Sequence, residues 1–156
     1  MASHADTDFV LIHDDDLLPS HPKVLAWTLD AAAKTAPFAV GVAGVITSSH
    51  LGYWQSRHVG LRATRVERDA RVDIVKGCYF CCPTTELAAV GYLELDAEDD
   101  IAVSAKLGRG LDQPHLILAR LHQHFELLPE GAHARKNRHN HRAARDAAQC
   151  RYFKLR

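Results

Sequence analysis

Three consecutive aspartates, Asp14, Asp15 and Asp16, follow a short apolar run and are the residues best suited to chemistry. Carboxylate oxygens are the ligands that Mg²⁺ and Mn²⁺ prefer, and such ions usually keep substrate phosphates among their ligands. In an extended segment alternate side chains point the same way, so Asp14 and Asp16 can share one cation while Asp15 points elsewhere. The pattern predicts a site for a divalent cation and a phosphate-bearing ligand.

The acidic run has two other interpretations. A solvated acidic turn has the same composition, because runs of charge usually face water. A receiver domain also ends its first strand in an acidic pair, but it requires a phosphorylatable aspartate after a later strand. Residues 45–60, where that aspartate is expected, contain none. The receiver interpretation is therefore disfavoured.

The elements around the aspartates alternate between strand and helix patterns. The β-branched, apolar residues 9–12 predict a buried parallel strand that places the acids at its carboxyl end, where open α/β sheets bind ligands. Helical spacing follows over residues 21–34 and a second buried strand over residues 38–46, and residues 47–71 predict an irregular loop or hairpin. The order indicates an α/β fold.

The second half continues this alternation. We expect a strand over 72–82, helices over 84–90 and 98–107, a late strand over 116–125 and a helix over 135–152. Asp96 can cap the second of these helices, and Asp99 and Asp100 lie in its first turn, where the partial positive charge of the helix end stabilises carboxylates.

Cys78 and Cys81 have the spacing that begins many zinc sites. Such a site requires a second pair of ligands, and Cys150 stands alone. The segment KGCYFCC is interpreted more simply as a buried strand of small apolar residues.

Tyr53 and Trp54 form an aromatic pair in the irregular loop. Aromatic rings can stack on a sugar, but they more often pack beneath a loop. The sequence leaves both interpretations open.

Bulk composition limits the class of protein. The chain has 156 residues, of which 47% are hydrophobic and 24% charged, which suits one domain. Because 19 Lys and Arg balance 19 Asp and Glu, no net field attracts nucleic acid or an anionic membrane, although the tail over 132–156 is rich in Arg and His. No apolar run is long enough for a membrane span and no signal peptide is recognised, so we expect a cytoplasmic protein.

Several segments resemble, in the same order, those of GT-A fold glycosyltransferases. FVLIHDDDLLPS resembles the strand and Asp-x-Asp motif of that family, and AEDDIAVSAKLG resembles its later acidic motif at the head of a helix. Between them lie a VGVAGV strand, a loop with GYW, and VDIVKGCYFCC before a short helix. The tail NHRAARDAAQCRYFKL resembles the C-terminal helix of the exostosin-like branch, and the family 2-like branch is also similar. The resemblance covers most of residues 8–108.

The resemblance implies a metal-dependent transfer of a hexosyl or N-acetylhexosaminyl group from a nucleotide sugar, most simply a UDP-sugar, to an unknown acceptor. Asp14 and Asp16 match the ligands of the Mn²⁺ or Mg²⁺ ion. Asp14 and Asp15 match contacts to the donor nucleotide, and Arg142 matches an arginine that neutralises its diphosphate.

Asp100, with Asp99 beside it, matches the catalytic station close to the sugar and the acceptor. In an inverting enzyme Asp100 is a general base for the acceptor hydroxyl. In a retaining enzyme, as in the exostosin-like branch, the leaving-group oxygen or a short-lived ion pair takes that role. The sequence leaves both routes open.

Some GT-A enzymes complete the metal shell with a late histidine, and the resemblance makes His122 and His124 candidates. If residues 116–125 are a strand, these two alternate side chains point to one face. A surface position is the alternative for this pair, and it is the expected one for His133, His139 and His141.

The family normally has two strand-helix units before the Asp-x-Asp motif, whereas 13 residues precede Asp14 here. We therefore expect a truncated GT-A-like mixed sheet flanked by helices, in a single domain over 1–156. A non-catalytic remnant or binding module is one alternative function. Another is an interaction protein completed by a partner chain or a second copy, because an uncovered sheet edge favours oligomerisation.

Overall fold

The computed structural model describes residues 6–61, 66–91, 99–128 and 138–153, and it has a mixed α/β fold. The helices are α1 (Val24–Thr35), α2 (Thr84–Val90), α3 (Asp99–Gly108), α4 (Ala119–His122) and α5 (Arg138–Phe153). The strands are β1 (Phe9–His13), β2 (Leu17–Pro19), β3 (Val40–Gly41), β4 (Ala43–Ile46), β5 (Arg57–Gly60), β6 (Ala70–Val72), β7 (Ile74–Val75), β8 (Tyr79–Pro83), β9 (His115–Ile117) and β10 (Phe125–Leu127).

A five-stranded sheet in the order β1-β8-β3-β9-β6 organises the fold. Because β1 and β3 are both antiparallel to β8, and β9 is parallel to β3, these three strands point in the same direction. Their carboxyl ends therefore meet at one end of the sheet. The aspartates that follow β1 lie at that end.

Two bent strands connect this sheet to a second one of three strands, β5-β4-β7. The chain passes from β3 into β4 through Val42 and from β6 into β7 through Asp73, and β4 then pairs with β7. Gly44 in β4 lies close to the backbone of β7. A Cβ there would lie 2.6 Å from the carbonyl oxygen of Ile74.

Alternate residues of β8 divide the core into two layers. Tyr79 and Cys81 pack with α1 residues such as Ala32 in one buried cluster. Phe80 and Cys82 lie in another buried cluster that also contains residues of α2 and α3. Helices therefore cover both faces of the sheet, as the alternation of elements predicted.

Strand β1 differs from its prediction as a buried parallel strand. It is an edge strand that pairs antiparallel with β8, from Phe9 opposite Pro83 to His13 opposite Tyr79. The apolar run identified a strand correctly, but sheet order depends on contacts distant in sequence and is not contained in the local pattern.

The predicted late strand over 116–125 is wrong beyond Ile117. The chain there forms α4, in which Leu121 is fully buried, and then turns into β10. The side chain of Asp69 accepts a hydrogen bond from the first amide of α4, that of Ala119, at 2.8 Å. This cap from a distant segment favours the helix.

Two further features bear on the class of protein. No helix in the described part of the chain is long and apolar enough to cross a membrane. All four cysteines are free thiols, and the buried ones, Cys81 and Cys82, belong to β8 as the apolar interpretation predicted.

Gly60 provides a test of the β4–β5 contact. Its φ is +83°, and a Cβ would lie 2.1 Å from the carbonyl oxygen of Val42, whereas Gly110 has a φ of +77° and nothing within 4 Å. We expect Gly110→Ala to lower the free energy of unfolding by about 1 kcal/mol through backbone strain alone. Gly60→Ala should cost roughly 1–3 kcal/mol more, because the methyl group overpacks the strand pair. Urea denaturation of both variants measures the difference, and equal losses would contradict this contact.

Candidate active site

The three aspartates form a tight turn between β1 and β2, called the Asp14 turn here (residues 14–16). The amide of Asp14 donates to the carbonyl of Cys78 at 2.9 Å, which anchors the turn to the segment before β8. The amide of Leu17 donates back to Asp14 across the turn at 3.4 Å. The segment is thus a turn rather than the extended chain assumed for a shared face, and Asp14 and Asp15 are exposed while Asp16 is half-buried.

The carboxyl group of Asp14 is electrostatically destabilised in its charged form. Its pKa is raised above the ordinary value of 3.8, first by desolvation and then by the negative charges of Asp16, Asp15 and Asp100. Desolvation acts on the carboxyl group even though the residue as a whole is exposed. Asp100 belongs to the second acidic motif, so the electrostatic environment of Asp14 includes a residue distant in sequence.

Asp100 lies in the first turn of α3 and is buried, with 6% of the residue exposed. One carboxylate oxygen accepts the amide of Ile101 at 2.9 Å. The other accepts the amide of Gly77 at 3.2 Å and a guanidinium nitrogen of Arg145 at 2.7 Å. Gly77 and Cys78 are adjacent in the chain. Gly77 donates to the Asp100 carboxylate and Cys78 accepts from the Asp14 amide, so this short segment connects the two acidic motifs.

Arg145 connects Asp100 to the segment between β4 and β5 that carries Tyr53 and Trp54, called the aromatic loop here (residues 47–56). Its guanidinium group also donates to the hydroxyl of Tyr53 at 2.8 Å and lies over the Tyr53 ring, 4.2 Å from the centroid. Arg145 is 8% exposed and Tyr53 is 2% exposed, so this charge is neutralised inside the protein by Asp100. Tyr53 therefore packs beneath the loop, in line with the structural interpretation of that ring.

Two more residues of α5 fasten the same loop. Asp146 accepts the amide of Tyr53 at 2.7 Å, and the side chain of Gln149 donates to the carbonyl of Leu51 at 2.9 Å. With Arg145 they form what we call the α5 clamp (Arg145, Asp146, Gln149). The clamp sets the position of the loop relative to α3.

Trp54 stands outside the clamp and is 40% exposed. The guanidinium carbon of Arg142 lies 5.5 Å from its ring centroid, and the rings of His58 and His141 lie 6.1 and 6.2 Å away. These residues form a cationic and aromatic patch (Trp54, His58, His141, Arg142), and the residue before Trp54, Tyr53, contacts Arg145. The patch combines aromatic surface with the guanidinium group of Arg142, which can bind an anion.

The two histidines of the patch are biased towards their neutral forms. Desolvation is the largest cause of the lowered pKa of His58, and the positive charges of Lys76 and Arg145 add to it. Desolvation also lowers the pKa of His141, and Arg145 lowers it further while Asp100 opposes this effect.

The structure brings together part of the predicted site. Asp100 and Asp14 are held by Gly77 and Cys78, which are adjacent in the chain, and Asp16 lies in the same turn as Asp14. Exposed Asp99 begins α3, and its carboxylate accepts the Asp100 amide at 3.0 Å. Arg142 lies over Trp54, one helical turn before Arg145. The expected roles of these residues stay predictions.

His122 and His124 do not lie on one strand face, since one ends α4 and the other follows it in a turn. His124 packs against the rings of His21 and Trp27, with centroids 4.9 and 5.2 Å away. Pairing of β10 with β2 puts Leu128 opposite Asp16 but His124 opposite Ser20, at the other end of β2. His122 lines a separate cleft of about 700 Å³ with Glu67 and Asp69.

No three His, Cys, Asp or Glu side chains within the described ranges are placed to hold a metal ion. Asp14, Asp16, His122 and His124 therefore do not form a ready-made ligand shell. Mg²⁺ and Mn²⁺ often take one or two carboxylates and complete their shell with water and substrate phosphates, so a cation at the Asp14 turn would need fewer than three protein ligands. The pKa of Asp14 is raised first by desolvation and then by repulsion from neighbouring carboxylates, and a cation would relieve the repulsion.

Sequence reasoning missed Arg145, Asp146 and Gly77, and it treated His141 as a surface residue. The available signal was spacing: Arg142, Arg145 and Gln149 fall three and four residues apart, which puts them along one side of a helix. Nothing local distinguishes the buried arginine from its exposed neighbour.

Comparisons with known proteins give no family. A scan against protein-family models and a search of curated proteins each find no match to this chain.

Arg145→Met and Arg142→Met form a matched pair for the buried ion pair. Arg145→Met leaves the Asp100 carboxylate buried without its cation, and we expect a loss of roughly 3–5 kcal/mol in the free energy of unfolding. Arg142→Met removes an exposed cation–π contact and should cost only about 0.5–1 kcal/mol. Urea denaturation compares them, and adding Asp100→Asn to Arg145→Met should restore part of the loss. Similar losses for both single variants would contradict a buried pair.

The raised pKa of Asp14 gives a pH-dependent prediction. An acid whose pKa is higher in the folded chain stabilises the fold below its ordinary value of 3.8, and this contribution is lost as the pH rises through the raised value. The stability of Asp14→Asn relative to the wild type should therefore increase as the pH rises from 3.8 through the raised pKa. At higher pH the difference in stability should stay constant. Thermal melts in EDTA across this pH range measure the difference, with exposed Asp112→Asn as control. An advantage that is independent of pH would contradict the repulsion.

Proposed function

We propose that this chain is a metal-dependent glycosyltransferase domain, which transfers a sugar from a nucleotide sugar, most simply a UDP-sugar, to an acceptor hydroxyl. In this proposal the chain has a GT-A-like fold. The proposal is supported by the resemblance of its motifs and by their arrangement in space.

The convergence of the Asp14 turn with Asp100 is the observation that carries the proposal. These motifs are separated by more than eighty residues, yet adjacent residues, Cys78 and Gly77, bond to Asp14 and to Asp100. The charge of Asp100 also contributes to the raised pKa of Asp14. The Asp14 turn follows a strand whose carboxyl end lies with those of β3 and β9. Ligands of α/β sheets bind at such ends.

The acidic and basic groups have complementary roles in this proposal. Asp14 and Asp16 would hold a Mn²⁺ or Mg²⁺ ion, which would supply Lewis-acid stabilisation of the diphosphate leaving group. Asp15 and Asp14 contact the donor nucleotide. Arg142, which belongs to the cationic and aromatic patch, neutralises the charge of the diphosphate. The bond between the anomeric carbon and the diphosphate oxygen breaks, and its electron pair leaves with the nucleoside diphosphate.

The acceptor oxygen forms the new bond to the anomeric carbon and must lose its proton. Asp100 is poorly placed to receive it, because the residue is buried and its two carboxylate oxygens already accept three hydrogen bonds. Exposed Asp99 is the better proton acceptor for an inverting reaction. In a retaining reaction an oxygen of the departing diphosphate takes the proton. The anomeric configuration of the product, read by NMR, distinguishes the two routes.

A non-catalytic binding module is the alternative within the same fold. It would keep the Asp14 turn and bind a cation without turnover.

Four free thiols suit a reducing compartment, so the proposal places the protein in the cytoplasm.

Calorimetry with UDP tests the nucleotide site. We expect UDP to bind in the presence of Mn²⁺ and to lose at least about tenfold in affinity in Asp16→Asn, a change of roughly 1.4 kcal/mol. Asp112→Asn, an exposed acid at another place in the fold, is the matched control and should bind as the wild type does.

Three results would count against the enzyme. Absence of binding at millimolar UDP with Mn²⁺ would remove the donor site. Equal affinity with Mn²⁺ and with EDTA would remove the role of the cation. Metal-dependent UDP binding without any sugar transfer or donor hydrolysis would favour the binding module instead.

A further inference from the structure

The outer edge of β1 carries unpaired backbone groups. Thr84 donates to Asp8 at 3.0 Å and Asp14 donates to Cys78 at 2.9 Å, so even-numbered residues of β1 direct their backbone groups towards β8. Phe9, Leu11 and His13 therefore direct theirs outward, where the carbonyl of Phe9 accepts the hydroxyl of Thr7 at 3.0 Å. No strand among the described residues pairs with that edge.

Both faces of β1 are apolar and partly uncovered at this edge. Leu11 is 37% exposed on the α1 side and Ile12 is 37% exposed on the opposite side. Leu25 of α1 is 50% exposed, and with Leu11 and Tyr79 it lines a cleft of about 490 Å³. A strand that is apolar on both faces is typical of a sheet interior.

Residues 9–13 lack the features that protect natural edge strands. The strand contains no lysine, proline or glycine, and its pairing with β8 runs in register without a bulge. Unprotected apolar edges are templates for an added strand.

The charges that flank β1 favour one kind of added strand. Asp6 and Asp8 precede β1 and the Asp14 turn follows it, so acidic groups flank both ends of the edge. Antiparallel pairing of two copies centred on Leu11 would place Asp8 opposite Asp14 of the second copy, and like charges directly opposite are destabilising. A strand with basic residues at its ends would meet opposite charges instead.

We infer that the outer edge of β1 binds an extended apolar segment flanked by basic residues, supplied by another polypeptide, through β-strand addition. Main-chain hydrogen bonds to Phe9, Leu11 and His13 hold the segment, and the cleft beside Leu25 takes one of its apolar side chains. This inference does not rest on the proposed sugar transfer, but the basic flank of the segment would lie beside the Asp14 turn.

Amide hydrogen exchange by NMR tests the inference with two synthetic peptides. Both have a Thr-Val-Ile-Val-Thr centre, and one has two lysines at each end while the other has two glutamates. The lysine peptide should slow exchange at Phe9, Leu11 and His13 and bind about tenfold more tightly at low salt than the glutamate peptide. The amides of Val10 and Ile12, which already face β8, serve as internal controls for folding.

Asp8→Lys provides the matched variant, because Asp8 is exposed and lies outside the candidate active site. It should weaken the lysine peptide and strengthen the glutamate peptide, while Val10 and Ile12 stay protected. Equal affinity for the two peptides, or no protection of the outward amides by either, would overturn the inference. Slow exchange of those amides without peptide, with dimers in sedimentation, would also overturn it and assign the edge to a second copy.

Discussion

The buried ion pair between Asp100 and Arg145 is the constraint on which the candidate site depends. The carboxylate is 6% exposed and the guanidinium-bearing residue 8% exposed, so each charge requires the other inside the protein. The pair joins α3 to α5, and its hydrogen bonds extend to Gly77 before β8 and to Tyr53 in the aromatic loop. Four segments distant in sequence thus meet at one ion pair, three of them at the carboxylate and the aromatic loop at the guanidinium group.

Burial separates the acids of the site into two kinds. Asp100 is neutralised by Arg145 and saturated with donors, which makes it a fixed part of the framework. Asp14, Asp15 and Asp16 form no salt bridge with any Lys or Arg in the described chain. Their negative charge remains accessible at the end of the sheet. Repulsion within that group destabilises the ionised protein but favours a cation, as commonly happens where function is placed on a stable framework.

Local patterns predicted the α/β class and most elements, because apolar periodicity depends on neighbouring residues alone. They also identified the two acidic motifs, whose residue types are unusual wherever they fold. They did not predict that β1 lies at the edge, since pairing with β8 is set seventy residues away. They mistook α4 for a strand because its cap, Asp69, comes from another segment. The choice of Arg145 over Arg142 as the buried cation likewise follows from tertiary packing.

Strand β1 links the two surfaces of interest, because its two edges serve different purposes. The inner edge bonds to β8 and, through Cys78, fixes where Asp14 begins its turn. At the outer edge the side chain of Leu11 is partly exposed, and its backbone groups pair with no strand in the described part of the chain. An added strand there would hold β1 from both sides and reduce the motion of the residue that precedes the turn, His13. Occupancy of the edge and the geometry of the aspartates are therefore coupled through a single strand five residues long.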